Sequence, residues 1–139
     1  MIALDASLFI YLFEAHPEFG QVTKSIFESV IRGSTRANAS ELVYLELLSR
    51  KNMSAAESVR IVEGLLTLGV ELSAISSDVL QRAASLRREW GLGAMDSIHV
   101  ASAIETGCDY FVTNDYRLLN KSVDDITLVP LGQAHKLLA

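Results

Sequence analysis

Apolar residues recur along this chain in two rhythms, short unbroken runs and stripes of helical period, and the two alternate almost from end to end. Ile2, Ala3 and Leu4 form a run that reads as a strand ending on Asp5, and after Ser7 a strongly apolar helix follows over residues 8–14. Pro17, Glu18 and Gly20 break the chain; Val22, Ile26, Phe27, Val30 and Ile31 then make one face of a second helix, closed by Gly33. Residues 34–39 predict a second strand, weakened by Arg36 and Asn38. Asn38 and Glu41 have capping-box spacing, which opens the next helix and gives Glu41 a structural task at its start. Ser54 and Glu57 form a second such box, ahead of a helix lined by Val59, Val62, Leu65 and Leu66 and ended by Gly69. A strand over residues 70–74 leads to Ser76, the cap of a helix through Trp90. Val79, Leu80, Ala83, Ala84 and Leu86 are expected inward on it, with Arg82, Arg87, Arg88 and Glu89 outward.

The stretch after Gly93 organises the rest. Met95, Ile98, Val100, Ala101, Ala103 and Ile104 recur at helical spacing, Gly107 stops the helix, and Tyr110, Phe111 and Val112 form a short buried strand that ends at Thr113, Asn114 and Asp115. A helical turn over residues 116–121, a last strand over 126–129 bounded by Pro130, and a helical turn over 133–138 complete the chain. Strands alternating with amphipathic helices predict an α/β fold, Rossmann-like with three α/β/α layers around a short central parallel sheet. Right-handed crossovers bring the carboxyl ends of the strands to one edge, so Asp5 and Asp115 are expected to converge there, with the amino end of the Asp96 helix above them.

Length adds that this is one domain over residues 1–139, since 139 residues at 50% hydrophobic suffice for one substantial core and not for two. No apolar run approaches a membrane span. The apolar start carries Asp5 and lacks a basic lead-in, so it is not read as a signal peptide, and a cytoplasmic location is expected. The lone Cys108 has no disulfide partner within the chain and reads as a small core residue. A net charge of -5 argues against a general nucleic-acid coat protein but not against a nuclease, because a carboxylate site for a cation adds negative charge.

The candidate chemistry lies in four acids. Asp5 and Asp115 have an alternative reading as helix caps, and Asp96 as a first-turn acid favoured by the helix dipole. Glu46 falls four residues after Leu42 and three after Val43, on an otherwise apolar face; it either leans out to solvent or faces a cation, a donor or a wet cleft. Four acids at short range repel one another unless something positive lies among them, and oxygen-only ligands select a hard cation such as Mg2+ or Mn2+. That combination suits in-line displacement at a phosphodiester.

With these residues in view, the chain resembles the PIN-domain nucleases, and more narrowly the VapC-type ribonuclease toxins of toxin-antitoxin pairs. The resemblance rests on LDASLFIYL at the start, SELVYLELL, the block MDSIHVASAIETGCDYFVTND and the closing ITLVPL, the long block being the most specific. It implies a PIN-like fold in which Asp5, Glu46, Asp96 and Asp115 are the catalytic, metal-binding acids, with Ser7 and Thr113 as hydroxyl helpers; Ala6 stands where the family often has the first hydroxyl. It further implies Mg2+- or Mn2+-dependent endonucleolytic cleavage of RNA to 5′-phosphate and 3′-hydroxyl ends, a homodimer, and inhibition by a cognate VapB-type antitoxin whose C-terminal segment enters the active-site groove.

Other residues carry open readings. Arg117 either holds a phosphate or solvates a loop, and Asn114 either bonds substrate or shapes the turn. His99 reads as a histidine packed or hydrogen-bonded behind the site rather than a ligand or proton shuttle, while His16 and His135 have no motif partner. Phe9, Tyr11, Phe13, Phe19 and Phe27 are core residues first and interface candidates second. A phospho-receiver is disfavoured, because the last strand runs Leu128, Val129, Pro130 without a lysine and the middle strand ends without an acid. A PIN fold kept only as a catalytically silent interaction module, or a PIN nuclease outside toxin-antitoxin systems, remain the alternatives.

Overall fold

Ile2–Leu4 (β1) is buried along its whole length and lies at the centre of a parallel sheet in the computed structural model, which describes residues 1–138. Its neighbours are Ala37–Ser40 (β2) on one side and Tyr110–Thr113 (β4) on the other; Glu71–Ser73 (β3) and Thr127–Pro130 (β5) form the edges, giving the order β3-β2-β1-β4-β5. Every pairing is parallel. The strand order reverses between β1 and β4, so a crevice opens there at the carboxyl edge, the place where open parallel sheets take ligands.

Helices cover both faces. Ala6–Phe13 (α1), Gly20–Ile31 (α2), Leu42–Leu48 (α3) and Ala55–Leu66 (α4), with the closing 3-10 helix Leu131–Leu137, pack on the face that receives Ile2, Leu4 and Val112. Ser77–Trp90 (α5), Ala94–Glu105 (α6) and Tyr116–Leu119 (α7) pack on the face that receives Ala3 and Phe111. Alternate strand residues thus feed two separate cores, and the three-layer α/β/α reading holds.

Several details differ from the sequence reading. Asn38 does not cap α3: it lies inside β2, its amide donating to Ser73 Oγ at 2.6 Å, and Ser40 Oγ accepts the Leu42 N–H instead. The strand starts later than predicted, at Ala37, and ends one residue further on, at Ser40, where β3 pairs with it, and Glu41 is left exposed. On α4 Leu65 of the predicted stripe is buried and Val62 half-buried, but Val59 and Leu66 are exposed and Ile61 packs inward instead; Gly64 lies close to the Phe13 ring. On α5 only Val79, Ala83 and Leu86 of the expected set are buried, while Leu80 and Ala84 face outward. Arg82 is not merely solvated, since it bridges Glu105 on α6 and Asp125. Met95 and Tyr110 are exposed at the ends of their elements. Gly107, at φ +77°, makes the left-handed turn that sends α6 into β4.

Candidate active site

Asp5 follows β1 directly, and its carboxylate is 7% exposed. Oδ1 accepts the Ala6 N–H at 2.8 Å, so the cap reading is correct for one oxygen; Oδ2 accepts the Thr113 hydroxyl at 2.6 Å from the end of the neighbouring strand. The same Thr113 oxygen accepts the Asp115 N–H at 3.1 Å. One fully buried hydroxyl therefore ties the first acid to the loop that carries the last. Asp115 itself caps α7, its Oδ1 accepting the Arg117 N–H at 2.9 Å. Burial raises the Asp5 pKa above the ordinary carboxylate range against the opposing Thr113 bond and the nearby His99, with the Glu46 charge raising it further.

Asp96 stands in the first turn of α6, where the N-cap is Gly93 and supplies no side chain. Its pKa is raised by burial, then by the charges of Asp5 and Asp115, and also by Glu46, while His99 pulls the other way. All four acids singled out from the sequence thus share one electrostatic neighbourhood. Glu46 reaches it from α3, three-quarters buried, with Oε1 2.6 Å from His99 Nε2. The solvent-facing reading of Glu46 is set aside by that contact, whereas Glu41 lies exposed on the surface.

The auxiliary residues divide. Ser7 sits in the first turn of α1 with its hydroxyl buried and without a hydrogen-bond partner among the described residues. Asn114 donates to the Tyr11 hydroxyl at 3.2 Å, which pins the β4–α7 turn to α1 and gives it a structural task. Arg117 is 94% exposed, its Nε 3.7 Å from Asp115 Oδ1, so its guanidinium is held only loosely at the rim. His16 accepts the N–H groups of Glu18 and Phe19 through Nδ1 and packs between Tyr11 and Phe19; this is a turn cap that no motif spacing announced. Cys108 is buried and its thiol pKa is pushed up by that burial.

Two clefts flank the acids. On the Glu46 side a cleft of about 560 Å3 is lined by Ile10, Phe13, Leu47 and Ile61, by Glu14 and Arg60, and by the ion pair of Arg50 with Glu57. On the Asp96 side a cleft of about 510 Å3 is lined by Gly91, Gly93, Arg117, Asn120 and Lys121. Arg60 and Lys121 were not marked by the sequence, because nothing in their spacing distinguishes a cleft cation from a solvated one.

The donor set is oxygen-only and crowded with like charge, which suits a hard divalent cation, and the orphaned Ser7 hydroxyl lies beside Asp5 at the start of the same helix. Among the described residues no three His, Cys, Asp or Glu side chains already stand in an arrangement ready to ligate one ion. A cation bound among the acids would relieve their mutual repulsion.

Known proteins give the following likenesses. No curated protein sequence matches the chain. The solved structure of DNA-bound VapBC from Salmonella typhimurium superposes with a TM-score of 0.71 at 20% identity, over 94% of this chain and 97% of that one. VapBC2 from Rickettsia felis, bound to a fragment of its promoter, gives 0.70 at 17% identity, over 94% and 98%. VapC20 from Mycobacterium tuberculosis, a sarcin-ricin loop cleaving toxin, gives 0.60 at 17% identity, over 80% and 87%. At such identities the structures speak for the fold alone. The sequence model of the PIN domain, however, matches residues 2–123, from the strand before Asp5 to beyond Asp115. That match takes in the whole parallel sheet except its last strand and all four of the acids gathered at its carboxyl edge, and the chain belongs to the PIN domain family.

Proposed function

We propose that this PIN domain is a Mg2+- or Mn2+-dependent endoribonuclease acting as the VapC-type toxin of a toxin-antitoxin pair. The observation that carries the proposal is the gathering of four acids at the strand switch point: Thr113 ties Asp5 to the Asp115 loop, and Asp96 lies one turn before His99, which contacts Glu46. The four acids are the residues that would hold the metal. When bound, the ion supplies Lewis-acid charge to a phosphodiester and to the water that attacks it.

The protein's own groups do the positioning. Thr113 fixes Asp5 and the Asp115 loop as one unit, so the two acids keep their spacing when a charged ligand arrives. Arg117 and Lys121 border the Asp96 cleft, where each can meet an RNA phosphate. The cleft beside Glu46, lined by both apolar and charged residues, has the chemistry of a seat for a protein segment, and we assign it to the VapB-type antitoxin. Support for that partner comes from the structural neighbours, which are named as toxin-antitoxin complexes. A homodimer and a cytoplasmic location belong to the same proposal; among the described residues no helix is long and apolar enough to cross a membrane.

The test is cleavage of a panel of structured RNAs by antitoxin-free protein with Mg2+, with Mn2+ and with chelator, alongside Asp96→Asn. Metal-dependent cutting lost in the variant is the expected result. If the wild type neither cuts RNA nor takes up Mn2+, the nuclease reading falls and the interaction module replaces it.

A further inference from the structure

We infer that His99 is a positioning residue for Glu46, and that its ring sets where that carboxylate stands relative to Asp96. The inference rests on the metal-site reading above and adds to it a residue that is not one of the acids. Its basis is geometric. His99 is 3% exposed, Nε2 lies 2.6 Å from Glu46 Oε1, and Nδ1 is buried with no hydrogen-bond partner among the described residues. The polarity of the ring is therefore used at one place only. A buried ring nitrogen is costly without a partner, and the partner that meets this one is the Glu46 carboxylate.

The helix supplies the rest of the argument. His99 follows Asp96 by three residues, so both project from one face of α6, and α6 packs against α3, which carries Glu46. A single turn of α6 thus presents one acid and grips a second. Glu46 needs that grip. It is a long side chain on the wall of an open cleft of about 560 Å3, and without the His99 contact other rotamers are open to its carboxylate. Holding it costs rotamer freedom, which the buried bond offsets before any ligand arrives. The donor need not be charged, since a neutral ring protonated on Nε2 makes the same bond.

The experiment is Mn2+ binding to metal-stripped protein, followed by the electron paramagnetic resonance of free Mn2+, with thermal melting to check the fold. His99→Leu keeps apolar bulk and removes the donor; the expected result is affinity weakened by about 10- to 100-fold, the usual loss when a group orienting a ligand is removed. His99→Gln places an N–H near the position of Nε2 and should recover most of it. In a Glu46→Gln background His99→Leu should weaken binding no further. Wild-type affinity in His99→Leu, or full additivity with Glu46→Gln, overturns the inference while leaving the metal site standing. A wild type that binds no Mn2+ overturns the site and the inference together. Should His99→Leu fail to fold, 15N–1H correlation of the ring in the wild-type protein decides: a protonated Nε2 supports the inference, and a bare Nε2 overturns it.

Discussion

Replacing Thr113 by valine keeps the shape of a fully buried strand residue and removes one oxygen, so its effect isolates the link between β1 and β4. That oxygen donates to Asp5 Oδ2 at 2.6 Å and accepts from the Asp115 N–H at 3.1 Å. Loss of a buried hydrogen bond to a carboxylate costs about 2–3 kcal/mol, a melting-temperature drop of roughly 6–10 °C for a domain of this size. The loss also has a pH signature. The Thr113 bond opposes the burial that raises the Asp5 pKa, so without it that pKa moves up further. At low pH Asp5 is protonated in both proteins and the difference between them is smallest; it grows as pH rises and the variant must bury a carboxylate with one donor fewer. Thermal or urea denaturation in chelator at several pH values measures this, with Thr113→Ser as the control that keeps the hydroxyl. A valine variant as stable as wild type at neutral pH, or one whose deficit is the same at every pH, would refute the reasoning.

Metal-free protein should lose stability as pH rises from the ordinary carboxylate pKa, about 3.9, through the raised values of Asp5 and Asp96, because in that window the folded state holds protons that the unfolded chain has released. Asp96→Asn should flatten that slope and raise the melting temperature in chelator, and Mn2+ should stabilise the wild type and not the variant; a variant melting below wild type in chelator at neutral pH contradicts the repulsion on which the site argument depends. Gly107→Ala, at φ +77° with open space around it, should cost about 1–2 kcal/mol from backbone conformation alone and leave Mn2+ affinity unchanged, as paired denaturation and binding curves can check.

Asp5 and Asp115 were legible in the sequence because parallel-sheet geometry is a strong rule: once the strands are placed, their carboxyl ends share an edge whatever the side chains do. Glu46 was legible against Glu41 because a carboxylate on an apolar stripe needs a partner, although periodicity could not say that His99 is the partner, 53 positions away. Asn38 misled for the complementary reason. Its spacing to Glu41 is a good local signal, and pairing of β2 with β1 and β3 overrode it. Val59, Leu66 and Leu80 show how a helix phase read from apolar residues can be rotated by whatever it packs on; α4 turns Gly64 inward so that Phe13 can approach. The double hydrogen bond of Thr113 had no trace in spacing, and only the family resemblance pointed to that residue.

The pairing of β1 with β4 also sets a clock. Asp5 and Thr113 are 108 positions apart, so a chain synthesised at about 5–20 residues per second has made its first acid some 5–20 seconds before the hydroxyl that completes it exists. Until then the crevice has only one wall, and the early helices can collapse on β1 without producing a site. A protein assembled in this order has its four acids apart until the strand carrying Thr113 docks beside the first.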